Sequence, residues 1–561
     1  MSEARTRGPH AMKLRATSES VSLWNSLVKS DALRAGEGDG EGDAFSMPPT
    51  GLVALTFGTA GLRAKEGRGW NRMNAVTVAL TSQGIADYIA EEGEIGQGEH
   101  APSVCIGFDG REGSLQFATA AALSFASSGL KVYIFDALVP TPLLAFATRE
   151  LRCRAGVMVT ASHNPKEYNG YKVYWNNGCQ IIPPMDKGIS GEIARQTSLR
   201  TSPEAWTADQ LKANPMVSEL SAERETTKYI EGVLSAFDFD RAGHDGQVEV
   251  VYTPLHGVGS TFVSRMFDRC GLRPFQKVDS QDEPDKDFPT VSFPNPEEGA
   301  GVWSEAFKVA DEMGLDVCIA NDPDADRLCC AERSASGWRV FSGNDLGIML
   351  GDWIFTKWKK RGSAKKPAML TTTVSARVLQ NMCEQEGIRF EETLTGFKWL
   401  GNKALEMESE GYDVLFAYEE AIGFMIGGTG VVDKDGVAAA AVFMDMLNHV
   451  YLQQKTTLEK HLEGLFEKYG KREYRQGYFL TNDGGADEVM SALRETSISE
   501  IGGVSVESTN LSANMITFRF GQNGFCTIRA SGTEPKVKYY IDIADGAGDI
   551  NDVEDAVRAF F

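Results

Sequence analysis

Along most of this chain two hydrophobic rhythms alternate. Ala75 to Glu92 carries apolar residues at helical spacing, Ser103 to Gly107 is a short apolar run of the kind a buried strand makes, and Ser114 to Ser127 is helical again. Lys131 to Phe135 then reads as strand and Pro142 to Leu151 as helix. Such alternation predicts a parallel or mixed sheet covered by helices. A second unit of the same kind begins near Gln247 to Tyr252 and includes a strand at Asp316 to Ala320. A third spans about 345–449, with strands at Ala368 to Thr372 and Val414 to Tyr418. From about Lys468 the β pattern dominates, in Asn514 to Phe520, Phe525 to Arg529 and Val537 to Ile543, and predicts a smaller α+β domain. The first fifty or so residues stand apart. Ser18 to Leu33 has the pattern of a short amphipathic helix, and Gly36 to Asp43 (GEGDGEGD) reads as an acidic, flexible spacer.

With 561 residues the chain exceeds a single core, so roughly three or four domains are expected. The net charge of −22 argues against nucleic acid and anionic membrane as bulk partners. An anionic substrate then requires basic residues gathered locally in a cleft. No apolar run approaches the about 18 residues of a membrane span, and the longest candidate, Val437 to Leu447, is cut by Asp445. Arg5, Arg7, Lys13 and Arg15 are followed by no apolar segment, so the start of the chain reads as a tail rather than a signal, and a cytoplasmic location is expected. The nine cysteines include no CxxC pair and several sit in apolar runs, which suits packing roles in a reducing compartment.

Chemistry concentrates in a few loops. Val157 to Thr160 reads as a buried strand, and Asn164-Pro165 breaks it, because the residue before a proline is pushed away from helix. Ser162 is thereby presented at a strand's carboxyl end, where α/β sheets place their ligands. After the Asp316 to Ala320 strand comes Asn321-Asp322-Pro323-Asp324-Ala325-Asp326-Arg327. In an extended loop, carboxylates at i, i+2 and i+4 point to one side. Asp322, Asp324 and Asp326 so arranged repel one another unless a hard cation such as Mg²⁺ sits between them. Arg327 is placed to neutralise phosphate charge. In Arg529 to Lys536 (RASGTEPK), arginine offers a planar fork to phosphate, while Ser531, Gly532 and Thr533 supply hydroxyls and N–H groups as an anion nest. Lys536 and Lys538 add charge. Arg63 and Arg111 follow glycine-containing turns (FGTAGLR and GFDGR), and Glu419-Glu420 is a carboxylate pair suited to sugar hydroxyls.

The order of these segments from Phe57 almost to Phe561, FGTAGLR, TASHNP, DPDADR, EEAIGF and RASGTEPK, resembles the α-D-phosphohexomutase superfamily. NGYKVYW, FPNPEE and TLTGFKWLGNK are similar to its phosphoglucomutase/phosphopentomutase branch. The resemblance implies an α/β fold of four domains around a central cleft: three similar mixed α/β domains and a smaller α+β domain. The expected divisions are an extension at 1–50, domain I at 51–240, domain II at 241–340, domain III at 341–465 and domain IV at 466–561. It further implies that Ser162 carries a phosphoryl group, with Mg²⁺ held by Asp322, Asp324, Asp326 and a phosphoserine oxygen. His163, Lys172, Arg63 and Arg327 would serve the reacting group. Arg111, Glu419, Glu420, Arg529, Ser531, Gly532, Thr533, Lys536 and Lys538 would bind substrate. His163 is not expected to act as a triad base, since adjacent side chains on an extended loop diverge.

The implied reaction interconverts sugar 1-phosphates and terminal sugar phosphates, of glucose, ribose or deoxyribose. Glucose 1,6-bisphosphate or the matching sugar bisphosphate would be the activator, and the chain is expected to be a monomer. Ala421 stands where many members have Ser, and Phe424 and Phe397 where some have His, so hexose recognition does not carry over and pentose phosphates stay in play. A glucose 1,6-bisphosphate synthase would use the same serine and metal loop. A non-catalytic scaffold predicts loss of Ser162, a loop aspartate or Arg529, and all are retained.

Overall fold

The computed structural model describes residues 60–92, 102–240, 246–299, 301–481, 485–512, 514–530 and 536–561. The expected amino-terminal helix and acidic spacer, and Ser531, Gly532 and Thr533 of the anion nest, lie outside them.

Ala155–Val159 is buried at every position and occupies the middle of a six-stranded sheet. Across that sheet the order is Gly61–Lys65, Tyr168–Trp175, Ala155–Val159, Ser103–Phe108, Lys131–Phe135 and Val217–Leu220. The last four pair in parallel, whereas Tyr168–Trp175 returns antiparallel beside Ala155–Val159 and carries Gly61–Lys65 antiparallel on its other side. The expected helices are present at Ala75–Glu91, Ser114–Ser127 and Thr141–Glu150. Asn74 starts the first of them with a reciprocal cap, its side chain accepting from the Thr77 N–H while Thr77 accepts from the Asn74 N–H.

The second sheet runs Gly337–Val340, Cys329–Ser334, Val317–Ala320, Val251–Thr253 and Gln276–Lys277. Its Val251 strand starts later than the sequence pattern suggests. Gln247 instead turns its amide to the Gly271 carbonyl and the Arg273 N–H. The third sheet runs Arg389–Thr393, Lys366–Thr372, Tyr412–Glu419 and Gly423–Ile426. Helix Leu458–Tyr469 runs across the expected 465/466 division, and the next strand begins at Arg472.

The last sheet is antiparallel throughout, in the order Arg472–Leu480, Lys536–Ala544, Gly524–Ala530, Met515–Arg519 and Ser508–Leu511. Strand alternation gives it two faces. Val537, Tyr539, Ile541 and Ile543 pack with Met490, Leu493, Val553 and Val557 of the helices Gly485–Glu495 and Ile550–Arg558. On the other face Tyr540, Phe525 and Met515 cluster with Val374 of the third domain. Full burial of side chains of this size contributes about 1.5–3 kcal/mol each. This contact holds the last sheet against the cleft. All nine cysteines are free and buried. Among the described residues no helix is long and apolar enough to cross a membrane.

Candidate active site

Three loops at the carboxyl ends of central strands meet where the domains join. The first follows Ala155–Val159. Ser162 has a left-handed backbone (φ 54°) and is almost fully buried. Its N–H donates to Thr160 Oγ1 at 2.8 Å. The left-handed turn, rather than an extended loop, brings Ser162 Oγ to 3.2 Å from His163 Nδ1, so the expected divergence of the two side chains does not occur. Ser162 Oγ donates to Asp322 Oδ2 at 2.7 Å. Burial, then Arg327 and Arg63, push the His163 imidazole well below its usual range, leaving it neutral at pH 7.

The second loop follows Val317–Ala320. It is not extended: Ala325 is left-handed (φ 53°) and its N–H returns to the Asp322 carbonyl at 2.8 Å. The turn still gathers Asp322, Asp324 and Asp326, whose ligand oxygens lie within 4.8 Å of one another. Gly257 permits the loop's close seat, because a Cβ there would stand 2.2 Å from Pro323 Cα. Burial and the two neighbouring carboxylates push Asp322 well above the ordinary carboxylate range. For Asp326, burial acts upward but Lys172, Lys434 and Arg327 outweigh it and hold the group below its usual value. Asp324 Oδ1 and Asp326 Oδ1 are buried with no hydrogen-bond partner. Three carboxylates with two such orphaned oxygens are a donor set that fits Mg²⁺.

Cations surround this triad. Lys172 Nζ lies 2.6 Å from Asp324 Oδ2 and 2.8 Å from Asp326 Oδ2, and Lys434 Nζ 3.4 Å from Asp326. Arg327 is 4.0 Å from Asp322, 3.9 Å from Asp326 and 3.6 Å from Glu297. Thr141 Oγ1 donates to Asp324 Oδ2 at 2.5 Å, and the Thr141 N–H donates to the Asp324 carbonyl at 2.9 Å. Arg63, exposed at the edge, donates to Asn164 Oδ1 at 3.0 Å.

The third loop, Glu419 to Gly423, joins the second directly: Arg327 and Gly423 form an antiparallel bridge, and the Leu328 N–H donates to the Ile422 carbonyl at 3.1 Å. Glu420 accepts from Thr372 Oγ1 at 3.0 Å and Ser375 Oγ at 3.3 Å. Burial lifts both Glu419 and Glu297 to about 7. Opposite them, Arg529 and Lys538 sit side by side on neighbouring strands of the last sheet. Arg529 Nη1 donates to Thr395 Oγ1 of domain III at 3.0 Å. Burial, then Lys536 and Arg529, lower Lys538 from its usual value.

The structure therefore brings together Ser162, His163, Lys172, Arg327 and the three aspartates, with Glu419 and Glu420 adjoining. Arg111 is placed apart from these. It was expected to touch substrate, yet it is buried and its guanidinium donates to carbonyls of the serine loop. Sequence reasoning missed Thr141, Glu297 and Lys434 as site residues. Lys434 lies between two acids in Asp433-Lys434-Asp435 ahead of an apolar helix, a signal that was readable; Thr141 carried none.

Three family patterns cover most of this architecture. Those described as phosphoglucomutase/phosphomannomutase, alpha/beta/alpha domain I, domain II and domain III match residues 54–200, 227–337 and 342–469. The chain belongs to the phosphoglucomutase/phosphomannomutase family. It is 40% identical to human phosphopentomutase, over 88% of this chain and 86% of the relative. It is 36% identical to human glucose 1,6-bisphosphate synthase, over 87% and 83% respectively. In fold it is similar to the crystal structure of a phosphoglucomutase/phosphomannomutase family protein from Burkholderia thailandensis, with a TM-score of 0.68 at 17% identity, covering 90% of this chain and 96% of that one.

Proposed function

We propose that this member of the family is a sugar-phosphate mutase acting on pentose 1-phosphates, ribose or deoxyribose, with glucose 1-phosphate as a further substrate. The single observation that carries the reading is Ser162 Oγ at 2.7 Å from one carboxylate of a buried three-aspartate cluster. The similarity to phosphopentomutase and the replacement of polar family positions by Ala421, Phe397 and Phe424 favour the pentose. Asp322, Asp324, Asp326 and a phosphoserine oxygen would hold Mg²⁺, which when bound supplies positive charge to the transferring phosphoryl group. In the proposed cycle phosphorylated Ser162 gives its phosphoryl group to the free terminal hydroxyl of a sugar 1-phosphate. The resulting bisphosphate turns over and returns its other phosphate to Ser162.

Lys172 and Arg327, which border the aspartates, stabilise charge on the transferring group, while neutral His163 hydrogen-bonds the serine oxygen. Arg529, Lys538 and Lys536, with Ser531, Gly532 and Thr533, clamp the phosphate that is not reacting. Glu419 and Glu420 accept from sugar hydroxyls. Arg529→Ala is expected to raise KM for the sugar 1-phosphate about 10- to 100-fold, the loss of a charged hydrogen-bonding fork, with kcat much less affected. Steady-state kinetics with an unchanged KM would remove Arg529 from the clamp.

Turnover of ribose 1-phosphate and glucose 1-phosphate, side by side with Mg²⁺ and a trace of glucose 1,6-bisphosphate, tests the substrate. A larger kcat/KM for ribose 1-phosphate is expected, and a preference for glucose 1-phosphate overturns the pentose assignment. The similarity to glucose 1,6-bisphosphate synthase supports a second reading, in which an acyl phosphate phosphorylates Ser162 and the bisphosphate is released. Net accumulation of bisphosphate without mutase turnover would select it.

A further inference from the structure

We propose that Arg111 is a positioning residue that sets the backbone of the nucleophile loop, and that domain II completes its seat. The proposal rests on the reading of Ser162 as the phosphoryl carrier. A guanidinium has five N–H donors, and the four on the terminal nitrogens of this one are hydrogen-bonded within its own domain. Nη2 donates to the Ser162 carbonyl at 2.5 Å and the Asn164 carbonyl at 2.8 Å. Nη1 donates to the Pro165 and Tyr168 carbonyls, both at 3.0 Å. Nε lies 3.2 Å from Asp109 Oδ2, and both side chains are only 1% exposed. Both terminal nitrogens are taken up by backbone carbonyls, and Nε is buried against Asp109, so the fork does not face a substrate phosphate.

Four carbonyls turned toward one point repel one another unless a cation gathers them. Arg111 is that cation, and its planar fork fixes their directions as well as their charge. Two of the four flank His163, across the turn in which Ser162 adopts its left-handed backbone. A non-glycine residue in that region is held only where its surroundings over-determine it. The hydrogen bonds of Arg111 supply that constraint, and with it the direction in which Ser162 Oγ reaches Asp322.

The cover over the arginine comes from the next domain. The Phe288 ring lies 5.1 Å from Arg111 Cζ, within the range of a cation–π contact. Phe288 is itself buried and left-handed (φ 45°). His256 meets its ring edge-on, with centroids 6.3 Å apart, and is tied to Thr290 Oγ1 at 2.8 Å. Exposed ion pairs Lys166–Asp287 and Lys286–Glu112, on residues next to Phe288 and Arg111, also link the two segments. The same domain carries Asp322, and Gly257, next to His256, packs on Pro323 of the aspartate loop. One arginine between Asp109 and Phe288 therefore references the serine to the metal-binding loop.

Lysine at 111 keeps the charge and loses the fork. Misplacement of a reacting group by about 1 Å costs roughly 100-fold in rate. The phosphate clamp is a separate structure, so binding should be spared. For Arg111→Lys, kcat is expected to fall about 100-fold with KM for the sugar 1-phosphate within about threefold of wild type. Phosphorylation of Ser162 by glucose 1,6-bisphosphate, followed by intact mass, should slow by the same factor. Phe288→Leu, which leaves every hydrogen bond of Arg111 in place, should move both readouts in the same direction, and Phe288→Tyr should restore them. This second variant carries the test if Arg111→Lys fails to fold. A raised KM with unchanged kcat returns Arg111 to the substrate contacts and overturns the proposal, as does wild-type kcat in both variants. Ser162→Ala assayed alongside separates the two levels. If it is active, the phosphoserine reading itself falls; if it is inactive while Arg111→Lys and Phe288→Leu are unimpaired, only the role of Arg111 falls.

Discussion

Ser162→Ala is expected to reduce mutase turnover by at least about 10⁴-fold, the scale seen when an enzyme loses its covalent nucleophile. The mutation removes the only atom of that side chain able to carry a phosphoryl group, while the charges around it stay in place. Stability should change little. The variant loses two hydrogen-bond contacts of Ser162 Oγ, to Asp322 at 2.7 Å and to His163 Nδ1 at 3.2 Å, and alanine leaves no large void. A net loss of about 1 kcal/mol corresponds to a shift of about 2–4 °C in a large domain. The check is turnover of the sugar 1-phosphate together with thermal melting and incorporation of phosphate from glucose 1,6-bisphosphate. Retained turnover, or phosphate incorporated elsewhere in the alanine variant, would refute a phosphoserine intermediate at Ser162.

The loops that bear the chemistry were legible because each is local. A strand, a turn signal and a characteristic side chain lie within a dozen residues, as in Val157 to Pro165 or Asp316 to Arg327. Their backbone shapes were less so. Extended geometry was the simplest expectation for Asp322 to Asp326, yet a left-handed Ala325 makes it a turn, and nothing about alanine announces that conformation. The same holds for Ser162, where the shape of the loop decided whether serine and histidine touch. Contacts that depend on docking of domains were the hardest. Thr141 reaches Asp324 across 183 positions, and Arg111 looked like one more basic residue near a phosphate site. Only the tertiary structure reveals that its donors are taken up by backbone carbonyls.

Charge balance around the aspartates governs the other large effect. Asp322, Asp324 and Asp326 are countered by Lys172, Lys434 and Arg327, of which Lys434 also pairs with Asp433 and Arg327 with Glu297. Phosphorylation of Ser162 brings about two further negative charges to this cluster, which favours a divalent cation there. Mg²⁺ is therefore expected to bind the phosphorylated chain more tightly than the dephosphorylated one, which calorimetry on the two forms would resolve. Asp324→Asn tilts the balance by one charge and leaves Lys172 paired with Asp326 alone. The Mg²⁺ concentration for half-maximal activity should rise about 100-fold, equivalent to about 2.7 kcal/mol of binding. The rate at saturating Mg²⁺ should also fall by about tenfold or more, since Lys172 then leans toward Asp326. Folding should be nearly unaffected, because the lost ion pair is offset by relief of repulsion among carboxylates within 4.8 Å. Chelation of the wild-type protein is expected to abolish turnover, and Mg²⁺ to restore it. An Asp324→Asn protein with the wild-type Mg²⁺ requirement would place the metal elsewhere and leave the triad a structural ion cluster.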